Sequence, residues 1–197
     1  SALFQSAEHI IDLDPVAGTQ NLKEVSATKV TGLIARLLVV TGLRVSELTE
    51  LRVQDVTGAA SRIRVRGKGD RERTVYVANY RLQKDFRHYW QCKFDTQGSQ
   101  AWLFANTNGE RLTAQAYRKR LKTLSLRIEP HLTPHRFRHS AATLLIEEGV
   151  DIRLVQRLLG HASIATTEIY TKVSDNSLSS AITAADTLAT VDRATVR

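Results

Sequence analysis

The sequence predicts an α+β fold that is mostly helical, with one small antiparallel β-sheet or hairpin. Apolar residues recur at helical spacing through most of the chain, as at Val30, Leu33, Ile34, Leu37 and Leu38. One stretch alternates with period two instead. Arg62-Ile63-Arg64-Val65-Arg66 and Arg73-Thr74-Val75-Tyr76-Val77 flank the turn residues Gly67-Lys68-Gly69-Asp70, which is the pattern of a basic β-hairpin with Lys68 near its tip. A length of 197 residues suits one sizeable core.

Residues 1–24 mix apolar and acidic residues around Pro15 and Gly18 and read as a linker or N-terminal extension. Helical spacing then runs from Leu22 to Val40, and Gly42 is the glycine just past its end. Ser46 to Leu51 begins a second short helix, with Arg44 at the junction. After the hairpin, Tyr80 to Phe94 reads as an amphipathic helix and Trp102 to Phe104 as a short apolar strand. Thr113 caps a helix to Leu126 that carries Arg118, Lys119, Arg120 and Lys122. Thr133-Pro134 is a cap residue followed by proline at the first helical position, and Gly149 ends that segment. Asp151 caps the next helix and Gly160 closes it, while Ser163 caps another that carries Tyr170. Leu178, Ile182, Ala185 and Leu188 share one face of a terminal helix over residues 178–189.

The formal charge of +8 and sequence pI near 9.9 suit a polyanionic partner, and the charge is unevenly spread. Residues 62–73 hold six basic against two acidic side chains, a net +4, and residues 111–138 hold eight against one, a net +7. The first 24 residues hold one lysine against four carboxylates, a net −3. Cys92 is the single cysteine, which excludes an intrachain disulfide and a cysteine-based metal cluster. No apolar run approaches the roughly 18 residues that cross a bilayer, and the first residues lack a basic-then-apolar leader pattern. The expectation is a cytoplasmic protein with no membrane partner, no metal and no other cofactor.

Several residues have the chemistry to hold and attack a phosphodiester. His135 and Arg138 are three apart at a helix start, where they share a face and the free amides also favour an anion. Arg44 and Glu47 repeat that spacing, a second cation beside a carboxylate able to orient it. Lys68, flanked by glycines, suits a proton donor that reaches into a groove. His161 and Tyr170 are nine apart, half a turn out of phase on one helix, so Gly160 and Ser163 must break the helix for both to address one point. Each has an ordinary explanation taken singly: an intrahelical ion pair, a solvated hairpin tip, a packed aromatic ring.

Their order is what is distinctive. T-G-L-R-V-S-E-L at 41–48, R-G-K-G at 66–69, T-P-H-R-F-R-H-S at 133–140, L-L-G-H at 158–161 and T-T-E-I-Y-T at 166–171 together resemble the successive boxes of the tyrosine recombinases, the phage-integrase family. The resemblance covers nearly everything from residue 25 to 175, and residues 1–20 match nothing in it. Phe137 stands where family members often carry leucine, a difference of packing.

The resemblance implies a tyrosine-recombinase-like catalytic domain over residues 25–176. It implies that Tyr170 is the nucleophile, attacking a scissile DNA phosphate to leave a 3′-phosphotyrosyl link and a free 5′-hydroxyl. Arg44 and Arg138 would bind the non-bridging oxygens, Lys68 would protonate the departing 5′-oxygen, and His135 would act as general base. His161 would hydrogen-bond the phosphate and Glu47 would position the site. With the bond energy kept in the covalent link, neither ATP nor metal is implied. Arg64, Arg66, Arg71, Arg73, Arg118, Lys119 and Lys122 are the expected contacts to double-stranded DNA. The family's usual helical DNA-binding domain has no counterpart in these residues, so the chain reads as the catalytic C-terminal part of a longer recombinase. Residues 177–197 would form a helix and tail that can exchange between protomers of a tetramer on DNA. Two rivals remain: a type IB topoisomerase, which relaxes DNA with a similar Arg-Lys-Arg-His-Tyr set, and a catalytically silent DNA-binding module.

Overall fold

The computed structural model describes residues 26–67, 72–125, 133–160 and 175–185. Its first helix, α1 (Ala27–Thr41), starts where Ser26 Oγ accepts the Lys29 amide at 3.2 Å. It ends at Gly42, whose φ of 62° is the left-handed conformation that closes helices, its amide bonding Leu38 O at 3.0 Å. Twelve of its fifteen residues are buried, so α1 is the central rod and not a surface helix with one apolar stripe. Its Leu33, Ile34, Leu37 and Leu38 are fully buried, each worth about 1.5–3 kcal/mol of apolar burial.

A short α2 (Val45–Thr49) follows, then a 3₁₀ turn at Val53–Asp55 and a three-stranded antiparallel sheet: β1 (Val56–Thr57), β2 (Arg62–Arg66) and β3 (Glu72–Tyr76), in that order. The β2–β3 register pairs Ile63 with Val75, Val65 with Arg73 and Arg66 with Glu72. Ile63, Val65 and Val75 are buried while Arg62, Arg64 and Arg66 are exposed, the alternation the hairpin pattern predicts. The remaining helices are α3 (Tyr80–Gln97), α4 (Ala114–Ser125), α5 (Pro134–Glu147), α6 (Ile152–Leu159) and α7 (Asp175–Ala185). Helix α1 packs against α3, α4 and α5, α6 packs on α5, and α2 bridges β2 and α4. Ile182 and Ala185 of α7 are buried against this core. A buried Arg36–Asp85 ion pair of 2.9 Å ties α1 to α3.

Cap chemistry places most of these boundaries. Thr133 Oγ1 accepts the Arg136 amide at 3.3 Å with Pro134 beside it, and Asp151 accepts the Arg153 amide at 2.7 Å. The expected strand at Trp102–Phe104 is not one. Leu103 and Phe104 are buried, but the segment makes only isolated bridges, Arg52 to Trp102 and Ala105 to Arg111, because it crosses the α2 end and then turns back on itself. The third strand is instead Val56–Thr57, too short to show a period. Residues 22–25, the helix expected to carry Tyr170, and residues 186–189 of the terminal helix lie outside the described residues. Among the described residues, no helix is long and apolar enough to cross a membrane.

Candidate active site

The glycine that ends α1 sets the site up. Behind Gly42 the chain turns at once into α2, with Arg44 as its N-cap in extended conformation, φ −72° and ψ 143°. Glu47 sits three residues on, and its Oε2 accepts the Arg44 amide at 2.9 Å while Oε1 accepts Arg44 Nη1 at 3.0 Å. A carboxylate in a first turn is favoured by the helix dipole. Here the same placement also aims the arginine. The φ of Gly42 favours glycine, and a Cβ there would lie 2.5 Å from Leu159 Cδ2 and force that side chain to shift.

The other half of the site is the C-terminal end of α6. Gly160, with φ 63°, closes that helix and leaves its last carbonyls without helical partners. Three arginines from three different elements take them in succession. Arg73 of β3 donates Nε to Leu158 O at 3.1 Å, Arg138 of α5 donates Nη2 to Leu159 O at 2.5 Å, and Arg44 reaches Gly160 O with Nη2 at 3.5 Å. Arg138 also donates Nη1 to Gly42 O at 2.6 Å, which joins the end of α1 to the end of α6. The negative end of the α6 dipole draws in these cations. Hydrogen bonds to charged donors are individually the strong ones, about 1.5–3 kcal/mol.

One carboxylate balances this group. Glu47 is 7% exposed, and besides Arg44 it accepts both terminal nitrogens of Arg73, Nη1 at 3.0 Å on Oε1 and Nη2 at 2.8 Å on Oε2. Burial alone would raise its carboxyl. The bonds from Arg73 and from the Arg44 amide, with the charge of Arg73, outweigh burial and hold it below the ordinary carboxylate value. Arg138 moves the other way: burial and then the charge of Arg44 push it down to about 10, against the opposing pull of Glu47. It remains protonated at neutral pH. Three guanidiniums and one carboxylate give the cluster a net charge of +2, a site for an anion with more than one oxygen.

The structure thus brings Arg44, Glu47 and Arg138 together across residues 44–138 of the chain. His135 stands three residues before Arg138, exposed in the first turn of α5, where the positive end of the helix dipole favours an anion. Arg64 and Arg66 lie on the exposed face of β2, paired with Asp55 at 3.6 Å and Glu72 at 3.2 Å, and Arg118, Lys119 and Lys122 are exposed on α4. Lys68, Arg71, His161 and Tyr170 lie outside the described residues. Arg73, expected among the DNA contacts, is directed inward onto Glu47 with a side chain 15% exposed. Strand parity is the signal for it: Arg73 is two residues from buried Val75 and pairs with buried Val65, so it belongs to the core face of the hairpin.

The phage integrase family matches residues 18–177 of the chain. Tyrosine recombinase XerD of Oceanobacillus iheyensis is 44% identical over 142 residues, covering 70% of this chain and 48% of that protein. Tyrosine recombinase XerA of Pyrococcus furiosus is 38% identical over 160 residues, covering 79% and 54%. Among solved structures, XerA recombinase superposes with a TM-score of 0.65 at 32% identity, covering 88% of this chain and 60% of that one. XerH site-specific recombinase bound to its difH substrate, a pre-cleavage complex, gives 0.61 at 29% identity, covering 82% and 45%. The chain spans about half the length of the curated relatives it matches. The mostly helical fold with its small sheet agrees with these likenesses, and the chain belongs to the phage integrase family.

Proposed function

We propose that this chain is the catalytic portion of a site-specific DNA recombinase, which cuts and rejoins strands through a 3′-phosphotyrosyl intermediate. The observation that carries the reading is the convergence of Arg44 and Arg138 on the carbonyls of Leu159 and Gly160, immediately before His161, in a cluster of net charge +2. Two guanidiniums fixed by the protein's own backbone need no rearrangement when charge develops on a phosphate. XerH, a site-specific recombinase at 29% identity, is bound to its difH substrate in its solved structure, which supports a recombination substrate, duplex DNA, as the partner here.

In this reading the Tyr170 hydroxyl loses its proton to His135 and its oxygen attacks phosphorus. The bond from phosphorus to the 5′-oxygen breaks, and Lys68 gives that oxygen a proton. Arg44, Arg138 and His161 hold the non-bridging oxygens, and Glu47 orients Arg44. Rejoining reverses the steps with a 5′-hydroxyl from a partner strand. Residues 25–176 form the catalytic domain, exposed Arg64, Arg66, Arg118, Lys119 and Lys122 contact the DNA backbone, and residues 177–197 are a tail able to link protomers assembled on DNA. The reaction belongs in the cytoplasm, and it uses no cofactor.

The test is incubation of the chain with a pool of nicked duplexes carrying randomised arms, in which the short downstream fragment bearing the freed 5′-hydroxyl diffuses away after cleavage. The reading expects a DNA adduct that survives denaturant. A chain that retards DNA yet forms no such adduct with any sequence in the pool is a binding module, and the proposal fails.

A further inference from the structure

Arg73 is committed inward on every side the structure records. Its two terminal nitrogens span both oxygens of Glu47, and its Nε meets Leu158 O. Its guanidinium lies flat against Gly160: a Cβ at that glycine would stand 3.0 Å from Arg73 Cζ and 3.1 Å from Nη1. One side chain therefore touches three segments that the active-site reading needs in register. Through Glu47 it holds the residue that orients Arg44, through Leu158 it holds the turn that leads to His161, and through its own backbone it anchors β3. Arg73 is the second residue of β3, beside the Arg66–Glu72 pair that ends the described part of the hairpin.

We propose that Arg73 is a positioning residue, which docks the root of the hairpin onto the Glu47 carboxylate and so ties the strand pair that leads to Lys68 to the arginine pair. This rests on the recombinase reading above. The competing role, a DNA phosphate contact, is what its charge and its place in a basic hairpin suggest. Geometry argues against it, because the planar fork is already matched to a carboxylate. A lysine cannot span both oxygens and a carbonyl at once, whereas a phosphate contact tolerates lysine well.

The two roles separate in single-turnover cleavage by Arg73→Met and Arg73→Lys on one adduct-forming duplex from the pool, made with either an ordinary or a 5′-bridging phosphorothiolate linkage. A sulfur leaving group needs little protonation, so it bypasses a misplaced general acid. The proposal expects Arg73→Met to cut ordinary DNA about 10–100-fold more slowly, with most of the loss recovered on the phosphorothiolate. It expects Arg73→Lys to resemble Arg73→Met, and the salt dependence of DNA binding to match the wild type. Equal slowing on both linkages overturns the coupling to Lys68. Weaker binding with a salt slope shallower by about one assigns Arg73 to a phosphate and overturns it too. Unslowed cleavage does the same. If Arg73→Met is unfolded at the assay temperature by its melting curve, Arg73→Lys carries the comparison alone. Absence of an adduct with the wild-type chain is a distinct result, which removes the recombinase reading and this proposal with it.

Discussion

Replacing Glu47 by glutamine should lower stability and leave DNA binding at least as strong, two effects of opposite sign. The carboxylate is 7% exposed and bonded to Arg73 at 3.0 and 2.8 Å and to Arg44 at 3.0 Å. Removing one partner of a buried charge pair costs about 3–5 kcal/mol. Glutamine keeps one acceptor oxygen, and the Arg44 side chain is 43% exposed and thus solvated, so the loss should fall to about 2–3 kcal/mol. In a domain of this size that is about 5–10 °C of melting temperature. Because the native Glu47 carboxyl lies below its ordinary 4.5, its stabilisation is complete above that value and fades as pH falls through the native one. The gap between wild type and Glu47→Gln should therefore be full near pH 7 and narrow as pH falls below 4.5. Meanwhile the cluster rises from a net +2 to +3, so DNA affinity should hold or increase while cleavage slows with Arg44 unaimed. Urea titrations at several pH values and a filter-binding curve measure both. A stability loss below about 1 kcal/mol, or one that does not vary with pH, refutes the assignment of Glu47 as the counter-charge of the cluster.

Gly160→Ala should destabilise by about 1 kcal/mol or more from its φ of 63° and displace the Arg73 guanidinium, so a lower melting temperature with slower cleavage is expected; an unchanged rate would separate that turn from the chemistry. Arg138→Ala should cut the cleavage rate about 10²–10³-fold, the usual cost of one transition-state donor, and a loss below about threefold would take it out of the site. Lys68→Ala should slow cleavage of ordinary DNA far more than of the 5′-bridging phosphorothiolate, and equal slowing of the two would reduce Lys68 to a phosphate contact.

The elements that cap residues announce, such as the Thr133-Pro134 start of α5 and the Asp151 and Gly160 ends of α6, were legible in the sequence because capping is local chemistry. The β2–β3 hairpin was legible for the same kind of reason, its period of two being visible over five residues a side. Val56–Thr57 was not, since two residues show no period, and Trp102–Phe104 was misread because a buried apolar triplet has the same composition whether or not it pairs. Arg44, Glu47 and Arg138 were identifiable by spacing and box order, while the agent that gathers them was hidden. Backbone carbonyls at Leu158, Leu159 and Gly160 leave no trace in side-chain identity, and only folding reveals that they collect three arginines. The charge of Arg73 points to DNA and its strand parity with Val75 points inward, and the inward direction is what the parity of a half-buried strand makes legible.

The central claim is covalent attachment of DNA through one named oxygen, and the adduct itself can report it. Trypsin cutting after Arg157 and Lys172 isolates residues 158–172, which include His161 and Tyr170. After nuclease trimming of the adduct formed on a nicked duplex, mass spectrometry should find that peptide carrying a 3′-linked nucleotide on Tyr170. The Tyr170→Phe chain should bind the same duplex and give no adduct. A nucleotide on any other side chain, or an adduct that persists in Tyr170→Phe, would contradict the account.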